Sequence, residues 1–148
     1  MNDITVLITA GLASRFLRPG WVRGGNEIQA SAFDLRDRPP EEYVSFFITN
    51  GEDDDSCFSK AIEVMRKKLS IEDGAVALLE IDRCLDEVND EENDIISFQE
   101  HKIPHCGMYY HTTDLTKVTE AKNTLRFIAR ERMRWVGDHT SKRVLASD

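Results

Sequence analysis

The chain has 148 residues, 41% of them hydrophobic and 31% charged, with a formal net charge of −8. That length suits one domain with a continuous core, and the composition is that of a folded, soluble protein. The chain holds no apolar stretch near the roughly 20 residues needed to cross a bilayer. Its start lacks the basic region of a secretory leader, and overall acidity opposes general nucleic-acid binding.

The charge is segregated. Residues 52–100 carry sixteen acids against five bases, and residues 117–148 carry eight bases against four acids. Such polarity suits association with an oppositely charged surface. Cys57, Cys84 and Cys106 are odd in number and widely spaced. This points to a reducing, cytoplasmic compartment rather than a disulfide framework.

In chain order, residues 2–10 are apolar and β-branched (Ile4, Val6, Ile8) and fit a strand or a helix until Pro19-Gly20 interrupts. Gly24-Gly25-Asn26 signals a turn, and Glu27 to Leu35 alternates as a strand. Tyr43 to Ile48, closed by Asn50-Gly51, reads as a strand. A helix follows, capped at Asp55 or Ser56, with Phe58, Ala61, Ile62, Met65 and Leu69 as its apolar stripe. Ala75 to Ile81 is the most core-like strand, residues 82–94 read as an exposed acidic loop, and Ile95–Phe98 and Cys106–His111 as further strands.

The last long element is a helix from about Thr113 to Trp135, with Leu115, Val118, Ala121, Leu125, Ile128, Arg132 and Trp135 on one stripe. Residues 137–148 read as a mobile tail. Together these predict one α+β domain over 1–136. Its sheet is mostly antiparallel, of four or five strands, with two main helices packed on one face.

Three constellations could carry chemistry. Three of the four histidines, His101, His105 and His111, fall within eleven residues. Imidazole suits proton transfer and metal binding near neutral pH. On a strand, His105, Gly107, Tyr109 and His111 share a face, with His105 and His111 ~20 Å apart, too far to chelate one metal. His101 and His105 converge if the turn at Pro104 folds back. A metal would need a third ligand such as Asp114, Glu100 or Cys106, so no metal site is assigned. Adjacent strand residues face opposite ways, so His105 is badly placed to activate Cys106.

The second constellation is Arg15, Arg18, Trp21 and Arg23 with Gly24-Gly25, whose guanidiniums could hold a phosphate or carboxylate. The third is a basic ridge, Lys122, Arg126, Arg130 and Arg134, suited to an acidic partner or to residues 82–94 of a second copy. No Gly-x-Ser-x-Gly elbow, P-loop or paired Cys-x-x-Cys is present.

The pattern Arg15-x-x-Arg-Pro-x-Trp21, then Ile28-x-Ala-Ser31-Ala-Phe33, then Val44-Ser45 resembles small uncharacterised bacterial proteins with an Arg-rich Pro-x-Trp loop and a Ser-Ala-Phe strand. The likeness covers residues 12–48 and 101–111 and implies a bacterial accessory protein without a transferable activity. A more distant likeness is to ADP-ribosyltransferase-like folds, with Arg15, Ser31 or Ser45, and Glu100 set against the dinucleotide-holding, serine and acidic roles. The chain lacks that fold's His-Gly-Thr element.

The sequence therefore favours a small cytoplasmic accessory or regulatory protein acting by protein–protein association in a bacterial system, a defence or toxin module being one setting. Self-association is included; nucleic acid and membrane are not expected partners. The alternative is a small enzyme on a phosphate-bearing substrate, with Arg15, Ser31, His105 and His111 as the catalytic set and Arg18, Trp21 and Arg23 holding the anion. No cofactor is expected under the first reading; NAD or a divalent metal belongs to the second. That enzyme requires the Trp21 loop and the histidine strand to meet in one concave pocket. Arg15→Ala and His105→Ala are expected to leave folding intact.

Overall fold

The computed structural model describes residues 6–24, 27–35, 42–68 and 73–136. Residues Ala75–Glu80 form β6, the first five of them apolar and all buried. Successive strand side chains point to opposite faces, so an uninterrupted apolar run requires cover on both. Ala75, Ala77 and Leu79 join one core cluster, and Val76 and Leu78 join another.

Around β6 lie β1 (Leu7–Ile8), β2 (Leu12–Leu17), β5 (Val44–Ile48), β7 (Ile96–Glu100), β8 (His105–Tyr110) and β9 (Met133–Trp135). They form one seven-stranded sheet in the order β1-β7-β8-β5-β2-β6-β9, with every pairing antiparallel. Two-residue strands β3 (Val22–Arg23) and β4 (Glu27–Ile28) make a separate hairpin, flanked by 3-10 turns at Pro19–Trp21 and Ala30–Phe33.

Helix α1 (Asp54–Lys68) covers one face through Cys57, Phe58, Ala61 and Met65. The Asp53 carboxylate accepts from the Ser56 amide at 2.8 Å, and Asp54 and Asp55 occupy the first turn, where the helix dipole favours anions. Helices α2 (Ile81–Val88) and α3 (Leu115–Arg130) cover the other face, burying Ile81, Cys84, Ala121, Leu125, Ile128 and Ala129. The Asp114 carboxylate caps α3, accepting from the Thr116 amide at 2.9 Å. Arg83 of α2 donates twice to Glu131 just past α3, at 2.8 and 2.7 Å. That pair holds the Glu131 carboxyl below its ordinary range.

The α+β class and the antiparallel sheet stand, but seven strands replace four or five, and three helices on two faces replace two on one. The segment 82–94, expected as a loop, is helical to Val88. The expected strand over 27–35 lasts two residues before turning 3-10. The long helix ends at Arg130, and β9 follows by pairing with β6 (Ala75↔Trp135). Leu115, assigned to the apolar stripe, is 80% exposed because it opens the helix beyond the core. The tail, 137–148, lies outside the described residues.

Strands β7 and β8 extend beyond α1, which packs on β5 and β6. Their inward residues, Ile96, Phe98, Cys106 and Met108, are buried under the α2–α3 layer. The opposite row, Ser97 and Gln99 on β7 with His105, Gly107 and Tyr109 on β8, faces outward from the sheet.

Candidate functional site

The outward row of β7 and β8 gathers the histidine run. The turn at Pro104 folds back so that the His101 amide donates to the His105 carbonyl at 3.1 Å, and their rings stand 5.4 Å apart. Tyr43, from the approach to β5, stacks on His101 at 4.4 Å and touches Tyr109 at 5.3 Å and His105 at 5.8 Å. Tyr109 Oη lies 3.0 Å from His101 Nε2, and His105 Nε2 lies 3.4 Å from Ser45 Oγ. Burial first, then Tyr43 and Glu42, pushes the Tyr109 phenol up.

Gly107 sits beneath this array. A Cβ there would come within 2.5 Å of Tyr43 and 2.9 Å of His101 Nε2. The absent side chain is what lets the rings lie over the strand. His111 is separate: its Nε2 lies 2.6 Å from Ser97 Oγ. Among the described residues no group of three or more His, Cys, Asp and Glu side chains could hold a metal ion.

Arg15 lies on the other side of the sheet. Its Nε donates to the Ala32 carbonyl at 3.0 Å and its Nη1 to the Ser45 carbonyl at 2.9 Å, and its guanidinium stands 5.3 Å from the Trp21 ring. Tyr110 Oη donates to the Phe33 carbonyl at 2.7 Å beside it. Burial and Asp34 push that phenol up against the opposing pull of Arg15. Arg15 and Tyr110 thus clamp the 3-10 turn that carries Ser31, whose side chain is exposed. Ser45 marks the divide, since Arg15 takes its carbonyl while His105 approaches its hydroxyl from the opposite face. The two halves of the expected catalytic set, Arg15 with Ser31 and His105 with His111, do not meet in one pocket.

The hairpin that follows Arg18 and Trp21 meets the basic ridge through Ile28 instead. The Gln29 amide donates to the Trp21 carbonyl, closing the base of the β3–β4 hairpin, and Arg18 stacks on Trp21 at 5.1 Å. Val22 and Ile28 are buried, so Arg23 and Glu27, directly opposite each other, point outward. Arg126 seats the hairpin on α3, donating from Nε to the Ile28 carbonyl at 2.6 Å and from Nη1 to Asn123 Oδ1 at 2.9 Å. Next to it Arg130 lies over the Phe127 ring at 4.9 Å. Glu27, Ile28, Asn123, Arg126, Phe127 and Arg130 line a cleft of 470 Å³.

Two ridge residues belong elsewhere. Lys122 pairs with Asp34. Arg134 is on β9, not α3, and reaches the α1 face, where it pairs with Asp55 and stands 4.5 Å over Phe58. The four-residue spacing that suggested a continuous ridge fails because the helix stops one turn early.

Phe127 was missed from the sequence, although the signal is there. It stands off the Leu125–Ile128 stripe, and the structure leaves it 58% exposed. Tyr109, placed on the face of His105 by strand alternation, joins the ring array, whereas Tyr43 was not legible as a member because it reaches the array from about sixty residues away.

Two further clefts, of 330 and 280 Å³, lie beside Tyr110 and Lys122 and beside Glu87 and Lys117. None of these three clefts has a histidine in its wall. No helix among the described residues is long and apolar enough to cross a membrane. No family model, curated protein or solved structure matches the chain.

Proposed function

We propose that this is a small accessory protein of the bacterial cytoplasm that works by protein–protein association, through the face made by α3 and the β3–β4 hairpin. One observation carries the reading. Glu27 and Ile28 of the hairpin and the Arg126–Phe127–Arg130 group, about a hundred residues apart in sequence, come together around one cleft on a molecule that is acidic overall. Arginine and aromatic side chains dominate the energetics of protein interfaces, and here they are ordered before any partner arrives. The stack of Arg130 on Phe127 and the two hydrogen bonds of Arg126 set these geometries in the free protein.

The small-enzyme alternative on a phosphate-bearing substrate would need one ligand to touch residues on both faces of the sheet. Arg15, its key anion holder, commits Nε and Nη1 to two backbone carbonyls on the face away from His105. The association reading draws on groups that face solvent.

The test is affinity capture from the native host with immobilised wild-type protein and with an Arg126→Glu/Arg130→Glu variant whose unfolding midpoint has been checked. A protein retained by the wild type is expected to be lost from the variant. Equal retention by both would remove this face from the account.

A further inference from the structure

Resting on that reading, we infer that the α3–hairpin cleft receives an acidic protein segment with an apolar or aromatic side chain among its carboxylates. The cleft walls state both requirements. Arg126 and Arg130 line it with Glu27, so two cations face a single carboxylate in its wall. Arg126 commits Nε and Nη1 within the protein and has no partner for Nη2 among the described residues, leaving that donor for a ligand oxygen. A guanidinium fixed in this way loses little freedom when it binds a carboxylate.

The apolar requirement comes from Phe127. One side of its exposed ring carries Arg130, and the ring lines the cleft with Arg126 and Arg130. A ligand bearing charge alone would leave that ring in water. A side chain laid against it gains ring contact as well as burial.

Charge argues for a protein segment over a nucleic acid. Phosphate chains draw affinity from many neutralised phosphates along an extended basic track. Here the cationic group is short, Glu27 stands inside it, and the whole chain is at −8. A few carboxylates next to an apolar anchor match it better. Salt screens exposed charges beyond ~10 Å at ordinary ionic strength, so the two arginines in the cleft wall weigh most at contact.

The test uses the full chain and a short fluorescein-labelled peptide of Glu and Asp with one central Phe, followed by fluorescence anisotropy. Controls are the same peptide with Lys for each acid, the acidic peptide with Ala for Phe, and a single-stranded oligonucleotide of equal length. Binding of the acidic peptide is expected, weakening by about tenfold in the charge-reversed Arg130→Glu and again in Phe127→Ala, and falling as salt rises. These positions are exposed, so the fold should survive; Arg126 also seats the hairpin and is left intact. Loss of the Phe from the peptide should cost affinity in the wild type and not in Phe127→Ala.

The inference is overturned if the acidic peptide does not bind, if the charge-reversed variant binds it equally well, or if the oligonucleotide binds more tightly. Should capture of the native partner depend on Arg126 and Arg130 while the acidic peptide fails, association stands and the carboxylate chemistry alone is wrong. Should capture be insensitive and the peptide fail as well, both fall.

Discussion

Arg15 looks like a substrate clamp in the sequence because it precedes an arginine, a tryptophan and two glycines. In the folded chain it is a strut. Its fork joins the carbonyls of Ala32 and Ser45, tying the excursion of residues 18–35 to the middle of the sheet. A hydrogen bond to a charged group is worth about 1.5–3 kcal/mol, and deleting the donor leaves half-buried carbonyls unmatched. Arg15→Ala is therefore expected to lower unfolding free energy by about 2–4 kcal/mol in a urea titration. Arg15→Lys should recover little, since an ammonium cannot serve two carbonyls with the same fixed fork. A stability within a few tenths of a kcal/mol of wild type would return Arg15 to the list of groups free to bind a ligand.

Most elements with long patterns were legible, except β2, whose Leu12 and Phe16 fit a helix as well as a strand. The stripe of α1, the run of β6 and the aromatic density of β5 each occupy enough residues for periodicity to register. Strands β1, β3, β4 and β9 have two or three residues, too few for any period, and exist because neighbours supply their hydrogen bonds. Cover on both faces could have been inferred from β6, whose buried run leaves no side for solvent. Likewise, the alternation Ile96-Ser97-Phe98-Gln99 marks a strand bare on one side. The convergence of the hairpin with Arg126 was not legible, because it is a contact between residues 28 and 126 with no shared pattern.

The bare side of β7 and β8 also makes a prediction. Tyr43 and His101 occupy the volume a side chain at 107 would need. Gly107→Ala should displace both rings and cost about 1–3 kcal/mol, as overpacking does. In a double-mutant cycle, Tyr43→Ala should relieve much of that cost, because it empties the space the new methyl requires. Strict additivity of the two substitutions, read by urea unfolding, would mean the rings do not rest on the strand there.

At the scale of the whole molecule, three buried groups set an alkaline limit. Burial pushes the Cys84 and Cys106 thiols up to about 12, and burial with Asp34 raises the Tyr110 phenol. In the unfolded chain a thiol ionises near 8.5 and a phenol near 10. As pH rises past about 9, the unfolded state releases thiol protons that the folded state retains, so ionisation favours unfolding. Each thiol contributes about 1.4 kcal/mol of lost stability per pH unit in this window, until the folded pKa is reached. Two thiols remove roughly 5 kcal/mol between about pH 9 and 11, against a total of about 5–15 kcal/mol for an ordinary domain. Urea titrations across that range should show unfolding free energy falling by about 2–3 kcal/mol per pH unit. Cys84→Ala/Cys106→Ala starts lower at neutral pH because two buried sulfurs leave small cavities, but its alkaline slope should flatten until Tyr110 begins to contribute. If wild type and the double variant lose stability at the same rate above pH 9, the buried thiols are not the groups that limit the fold in base.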